Sequence, residues 1–160
     1  MKDESNILFE GPNERWDLIK DLYSLYFEEA PQRSGKEWMR LGFQGQYPET
    51  DFRGGGVLSL KLIIRFVRNN KNLVKTMEKD KANFFFAITA INIAFFMKKY
   101  FHLADYLTAE RDSEEYCNRR ALKNFCMIIV SERNTYEQMH ELFLKYFYEQ
   151  LWLKAQETNP

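Results

Sequence analysis

The sequence FFFAITAINIAFFM, residues 84–97, is the longest apolar run of the chain. It contains Asn92, it ends at Lys98 and Lys99, and it is shorter than the stretch of about 20 apolar residues that a membrane-spanning helix needs. We therefore expect a buried central helix over residues 82–103, around which the rest of the chain packs, and no membrane span.

The segments on either side of this run also have helical periodicity. Residues 14–29 carry an apolar face, and residues 57–68 carry another, after which Asn69-Asn70 interrupts the pattern before a short amphipathic segment over residues 73–79. The two faces comprise Trp16, Ile19, Tyr23 and Tyr26 in the first, and Val57, Leu60, Ile64 and Val67 in the second. The Ala30-Pro31 pair is expected to end the first helix, because a residue that precedes proline disfavours the helical region.

The C-terminal part predicts two further helices, over residues 112–130 and 136–154. The last should bring Met139, Phe143, Tyr146, Gln150 and Trp152 near one another. No alternating strand pairs occur, and proline and glycine are scarce (4 and 7) while phenylalanine and tyrosine are abundant (14 and 9). These patterns predict an all-α fold, a single compact domain of about seven helices spanning residues 1–160.

Three pairs of residues have the spacing of a capping box, in which a side chain at the helix start and one three residues later satisfy the free N–H groups. Ser34 with Glu37 should begin a short helix that turns Trp38 and Leu41 inward and ends at Gly42. The other two pairs are Asp112 with Glu115, and Thr135 with Gln138.

Most glycines of the chain fall in one segment, GFQGQYPETDFRGGG, residues 42–56, which we call the glycine-rich loop. A loop of this length inside a compact domain is usually functional or disordered. Phe43, Tyr47 and Phe52 are expected to anchor it in the core, so we predict an ordered functional loop.

Charge and the reactive residue types exclude several functions. Lys plus Arg and Asp plus Glu are 23 each, so the basic excess of a nucleic-acid-binding protein is absent. Cys117 and Cys126 have no metal-ligand spacing and are interpreted as reduced, core-facing thiols, and His102 and His140 stand alone as ordinary surface or partly buried residues. No nucleophile with a base and an orienting group is evident, so we expect no metal, no bound cofactor and no small-molecule enzyme. The N-terminal MKDESN has no secretory leader, and the expected location is the cytoplasm.

The glycine-rich loop and its flanks resemble a known family. WMRLGFQG (residues 38–45) and PETDFRGGGVL (residues 48–58) are similar to the motif of the ELMO domain (engulfment and cell motility). AITAINI (residues 87–93) resembles the central helix of that family, and residues 140–152 resemble its last aromatic helix. The resemblance covers residues 36–156.

The resemblance implies one of two functions, because the family has two branches. ELMO-domain-only proteins are GTPase-activating proteins for Arf-family small GTPases, and the arginine of their Asp-Phe-Arg-Gly stretch has been taken as catalytic. The engulfment proteins instead scaffold a DOCK-type exchange factor for Rac, carry additional domains and lack that arginine. This chain has Arg53 at the matching position and looks like the first branch.

The chain departs from the family pattern just after the glycines. Where the family commonly has asparagine and tyrosine in Leu-x-Asn-Leu-x-Tyr-Phe, this chain has Leu62 and Arg65. If the asparagine braces the loop in the family, the loop geometry must be achieved differently here.

The resemblance assigns Arg53 as the catalytic residue, supplied in trans to the GTPase. Gly54, Gly55 and Gly56 would permit close approach of a partner backbone, Thr50 and Asp51 would cap a turn or the next helix, and Asp51 would also hold the guanidinium. Gln44 would brace the loop or touch the GTPase, while Phe52 would anchor it. The purely structural alternative is that Asp51 and Arg53 form a network that only holds the loop closed.

Two functional hypotheses follow. The first is an activator of an Arf-family GTPase, in which GTP and Mg²⁺ belong to the partner and the chain is a regulator, not an enzyme. The alternative is a non-catalytic scaffold or effector module that binds a small GTPase or a DOCK-type Rac exchange factor. In both cases any membrane recruitment would come from the partner, and the sequence leaves the oligomeric state open.

Overall fold

The computed structural model describes residues 12–53, 56–80, 84–101, 123–124, 126–127, 132 and 134–158. Every regular element among these residues is a helix, so the all-α prediction is confirmed. The elements are α1 (Pro12–Phe27), α2 (Glu37–Arg40), a 3₁₀ helix (Pro48–Arg53), α3 (Gly56–Lys79), α4 (Phe86–Tyr100), α5 (Thr135–Tyr146), a π-helical segment (Phe147–Trp152) and α6 (Leu153–Thr158).

Helix α4 is the central helix, and it packs against α3 and α5. Its buried face consists of Phe86, Ala87, Ala90, Ile91, Ala94 and Met97. The expected central helix is therefore confirmed, although it begins at Phe86 and leaves Asn92 and Phe96 exposed.

Helices α1 and α3 bury the faces that their periodicity predicted. Ile19, Tyr23 and Tyr26 are buried and Trp16 is half-buried, while the apolar side of α3 is enclosed between α1 and α4. The prediction that Ala30-Pro31 ends α1 is wrong, because the helix already ends at Phe27. The stop lies at Glu28, which has a left-handed φ of 61° and donates its N–H to the carbonyl of Ser24.

The interruption predicted at Asn69-Asn70 is a bend within α3. Asn70 has φ −134° and ψ 35°, and the helix continues beyond it to Lys79. Its side-chain amide donates to the carbonyl of Phe66 at 3.2 Å and to Glu141 Oε1 of α5 at 2.9 Å. The bend is therefore held by a side chain that also links α3 to α5.

The residues that the sequence groups together on the last helix do not form its buried face. Phe143 and Tyr146 are exposed, whereas the buried side chains of α5 and the π-helical segment are Tyr136, His140, Leu144 and Tyr148, four residues apart. The reason is hydrogen bonding to α4. The Tyr136 hydroxyl donates to the carbonyl of Ala94 at 3.1 Å, and His140 Nε2 lies 2.9 Å from the carbonyl of Ala90, so these polar rings can be buried.

Both capping boxes that fall on described residues are wrong. Helix α2 follows Lys36 and helix α5 follows Asn134, and neither residue makes a side-chain cap. Thr135 instead donates its hydroxyl to the carbonyl of Glu132 at 2.9 Å. Cys126 is exposed rather than core-facing. Cys117, His102 and the pair Asp112 and Glu115 lie outside the described residues.

The burial of His140 predicts that stability falls in mild acid. Burial lowers the pKa of His140 below its ordinary value, and this exceeds the opposing effects of the Ala90 hydrogen bond and of Glu141. The unfolded chain takes up a proton near pH 6.5 while the folded chain does not, so the free energy of unfolding should decrease below about pH 6.5, by at most about 1.4 kcal/mol per pH unit.

Urea denaturation at pH 7.5, 6.5 and 5.5 measures this effect. Relative to wild type, His140→Gln should be less stable at pH 7.5 and should lose part of the decrease between pH 6.5 and 5.5. Parallel pH dependences of the two proteins would contradict the prediction.

Candidate functional site

A row of buried aromatic rings holds the glycine-rich loop. Tyr23 of α1 lies against Trp38 of α2, with ring centroids 5.0 Å apart, and Trp38 lies 5.5 Å from Phe43. Phe43 in turn lies 5.8 Å from Phe52, and all three of these contacts are edge-to-face. Phe43 and Phe52 anchor the loop as expected, but Tyr47 is 57% exposed, so the expectation that it is an anchor is wrong.

Gly42 ends α2 with a Schellman motif. Its N–H donates to the carbonyl of Met39 at 3.0 Å, and the N–H of Phe43 donates to the carbonyl of Trp38 at 3.2 Å. The φ of Gly42 is +88°, in the left-handed region that favours glycine. The contact between the Trp38 and Phe43 rings is the hydrophobic contact that accompanies this motif.

The start of the loop also caps the central helix. The N–H of Ala87 donates to the carbonyl of Leu41 at 3.0 Å, and the N–H of Ile88 donates to the carbonyl of Gly42 at 3.2 Å. Phe85, at the N-cap of α4, makes no side-chain cap, so these carbonyls satisfy N–H groups of the first turn. The end of α2 and the start of α4 are therefore joined directly through the backbone.

Asp51 closes the loop on itself. Its Oδ2 accepts the backbone N–H of Gln44 at 2.9 Å, and its Oδ1 lies 3.5 Å from the hydroxyl of Thr50. Thr50 also donates that hydroxyl to the carbonyl of Tyr47 at 2.8 Å, which is a turn-capping contact. The carbonyl of Gln46 accepts the N–H of Gly35 at 3.1 Å and ties the loop to the segment before α2.

Removal of the Asp51 carboxylate should loosen this closure. We expect Asp51→Ala to speed hydrogen exchange of the Gln44 amide about fivefold, because a net loss of about 1 kcal/mol is typical for one exposed hydrogen bond. Asp51→Asn keeps an acceptor oxygen and should retain most of the protection. The exchange rates are measured by NMR. An unchanged exchange rate of the Gln44 amide in Asp51→Ala would show that this bond does not close the loop.

The other predicted site residues have different surroundings. Arg53 is the last residue of the 3₁₀ helix, which packs against α1, α3 and α4; its side chain, together with Gly54 and Gly55, lies outside what the structure describes. Gly56 is buried at the start of α3 with φ 57°. The side chain of Gln44 is exposed, although its backbone N–H is bound. The structure thus brings Gln44, Thr50, Asp51 and Phe52 together.

The two departures from the family pattern both lie on α3. Leu62 is buried in an apolar cluster with Ala94, Met97, Phe101 and Tyr136, away from the aromatic row under the loop. Arg65 is half-buried. Here Asp51 and the aromatic row brace the described part of the loop, and Leu62 contributes to packing between α3, α4 and α5.

A cavity beside the loop was missed by sequence reasoning. Its volume is about 80 Å³, and it is lined by Arg15, Trp16 and Ile19 of α1, by Arg33, and by Glu49 of the 3₁₀ helix. Arg33 Nε lies 3.6 Å from Glu49 Oε1, and the guanidinium carbon lies 5.8 Å from the centroid of the Trp16 ring. Because three separate segments contribute, the sequence carries no local signal for this cavity.

Within the described part of the chain, no three His, Cys, Asp or Glu side chains are grouped so that they could hold a metal ion. No helix found among the same residues combines the length and the apolar character that crossing a membrane requires.

The described helices and the aromatic-anchored loop define an all-helical protein built around one structured, glycine-rich loop. The chain belongs to the ELMO/CED-12 family, whose model matches residues 9–159.

Three relatives show the extent of the similarity. ELMO domain-containing protein C of Dictyostelium discoideum is 22% identical over 97% of this chain and 25% of its own length. ELMO domain-containing protein B of the same organism is 38% identical over 57% of this chain and 32% of its own length, and human ELMO domain-containing protein 2 is 31% identical over 48% and 28%. The chain therefore spans a third or less of these relatives. No solved structure matches.

Proposed function

We propose that this chain regulates a small GTPase, and specifically that it stimulates GTP hydrolysis by an Arf-family GTPase with Arg53 supplied in trans. Membership of the ELMO/CED-12 family supports the general role. The observation that carries the specific role is the placement of Arg53 at the end of the 3₁₀ helix. This helix packs on the core, and the hydrogen bond from Gln44 to Asp51 ties it to the start of the glycine-rich loop.

The geometry of the loop suits an arginine that must enter the nucleotide site of another protein. Phe52, directly before Arg53, is 2% exposed and packs against Phe43. A backbone that is ordered before the encounter loses less conformational entropy on binding, which favours a productive orientation. The buried Phe52 and the Asp51 bond supply that order up to the residue that would act.

In this reaction the GTPase is the enzyme and the chain is its regulator. GTP and Mg²⁺ would be bound by the GTPase, and the chain would add one positive charge where negative charge accumulates on the phosphoryl oxygens. We place the interaction in the cytoplasm, where any recruitment to a membrane would be supplied by the GTPase.

Single-turnover hydrolysis by a panel of GTP-loaded Arf-family GTPases, each with and without the chain, tests the proposal. Acceleration of at least one member is the expected result. If no member is accelerated but one binds in its GTP form, the chain is a non-catalytic effector or scaffold. If none binds, a DOCK-type Rac exchange factor is the partner to assay next, and the Arf proposal is wrong.

A further inference from the structure

The cavity between α1 and the 3₁₀ helix combines apolar walls with opposite charges. Trp16 and Ile19 form the apolar part, Arg15 and Arg33 contribute positive charge, and Glu49 contributes a carboxylate. A volume of about 80 Å³ accommodates a small functional group and not a whole ligand. We call this feature the Glu49 cavity.

One carboxylate oxygen of Glu49 makes only a long ion pair, and the other accepts no hydrogen bond from the described residues. Its Oε1 lies 3.6 Å from Arg33 Nε, which is an ion pair beyond ideal hydrogen-bond length. Its Oε2 is buried, and no hydrogen-bond donor among the described residues reaches it. Because Oε2 has almost no accessible surface, a group from outside cannot reach it. The acceptor available to an external donor is therefore Oε1, whose contact with Arg33 is longer than an ideal hydrogen bond.

Arg33 provides the complementary group at the mouth of the cavity. Its side chain is 71% exposed, and its guanidinium lies over the ring of Trp16. A guanidinium carries five N–H donors in a fixed plane, so the contact with Glu49 leaves donors directed elsewhere. The cavity therefore presents an acceptor inside and donors at its rim, next to an aromatic ring.

We propose that the Glu49 cavity binds the carboxamide of an asparagine or glutamine side chain on the GTPase. The amide N–H would donate to Glu49 Oε1, the amide oxygen would accept from Arg33, and the methylene carbons would contact Trp16 and Ile19. A carboxylate would face the like charge of Glu49, and an ammonium group would face Arg15 and Arg33. The neutral amide is the group that satisfies both sides.

The position of the cavity favours the GTPase as its partner, and to that extent the inference rests on the proposed function. Glu49 and Arg53 belong to the same 3₁₀ helix. At about 2.0 Å per residue, their Cα atoms are separated by about 8 Å along its axis. A protein whose nucleotide site receives Arg53 would therefore also cover the cavity.

Titration with propionamide tests the chemistry of the cavity without any GTPase. The probe is added to the ¹⁵N-labelled chain, and the indole signal of Trp16 is followed by NMR, with Trp16→Phe to assign it. We expect a saturable shift with propionamide and binding about tenfold or more weaker with propionate and propylammonium, since each charged probe meets a like charge.

Variants of the two polar groups complete that test. Glu49→Met and Arg33→Met should each weaken propionamide binding about tenfold, the loss expected for one hydrogen bond to a charged group. Arg68→Met, an exposed arginine on α3, is the matched control and should bind normally. Arg33 is exposed, so its variant should fold even if Glu49→Met does not. Binding that survives in the folded variants, or equal binding of propionate, would overturn the proposal.

Binding of the GTPase then tests the identity of the partner. With any panel member that binds the wild-type chain, Glu49→Met should raise the Kd about tenfold, whereas Arg68→Met should not. An equal Kd for wild type and Glu49→Met would overturn the docking role. If no GTPase binds, the proposed function fails and the assignment of the GTPase as partner fails with it, while the propionamide titration still decides the chemistry of the cavity.

Discussion

Arg53→Lys is expected to abolish the stimulation of GTP hydrolysis while the chain still binds the GTPase. An arginine supplied in trans accelerates GTP hydrolysis by about 10³–10⁵, which corresponds to about 4–7 kcal/mol of barrier. Lysine keeps the charge but loses the planar fork that meets two phosphoryl oxygens at once. Most of the acceleration should therefore be lost.

The measurement is single-turnover hydrolysis at saturating chain, together with the affinity for the GTP-bound GTPase. Arg68→Lys makes the same chemical change at an exposed position on α3 and should leave the rate unchanged. The thermal midpoint of Arg53→Lys separates the two roles that the sequence leaves open. A full rate with a lowered midpoint would mean that Arg53 braces the loop and that the catalytic assignment is wrong.

The parts of the fold that the sequence predicted are those where apolar residues alone define a buried face. In α1, Ile19, Tyr23 and Tyr26 repeat at helical spacing, and α4 consists almost entirely of apolar residues. Burial of such residues is favourable wherever the helix packs, so the buried side follows from the pattern.

Helix α5 shows why the same reasoning fails elsewhere. Its inner face includes Tyr136 and His140, whose burial depends on carbonyl groups of α4 that lie 42 and 50 residues away in the chain. No local sequence pattern identifies those hydrogen-bond partners. The helical spacing that groups Phe143 with Tyr146 therefore does not identify the buried face, since both residues are exposed.

The capping predictions failed because α2 begins after Lys36 and α5 begins after Asn134, so Ser34 and Thr135 do not occupy the N-cap positions. A capping-box pattern identifies side chains that can satisfy helix N–H groups, but α4 receives its caps from the carbonyls of Leu41 and Gly42 in another segment. Within the candidate site, Phe43 and Phe52 were predictable as apolar anchors. The hydrogen bond from Gln44 to Asp51 could not be predicted, because it depends on the tertiary fold. The same holds for the Glu49 cavity.

Gly42→Ala is expected to destabilise the chain by about 3–5 kcal/mol, from the strain of a left-handed residue and from overpacking. The φ of Gly42 is +88°, and a Cβ there would lie 2.4 Å from the backbone nitrogen of Phe86 and 2.7 Å from the carbonyl carbon of Phe85. Backbone atoms cannot move aside as a flexible side chain can. The start of α4 would have to shift, which would break the two bonds that Leu41 and Gly42 make to its first turn.

Gly45→Ala is the matched control, because it makes the same change three residues later in the same loop. A Cβ at Gly45 meets nothing within 4 Å, and its φ lies outside the left-handed region. The substitution should range from neutral to a stabilisation of about 1 kcal/mol, since alanine restricts the unfolded chain. Urea denaturation compares the two variants, and equal free energies of unfolding would contradict the close approach of α2 to α4. A large loss of unfolding free energy in Gly42→Ala alone would instead show that the contact between α2 and α4 requires glycine at this position. Loop flexibility would then not be the reason for the glycine.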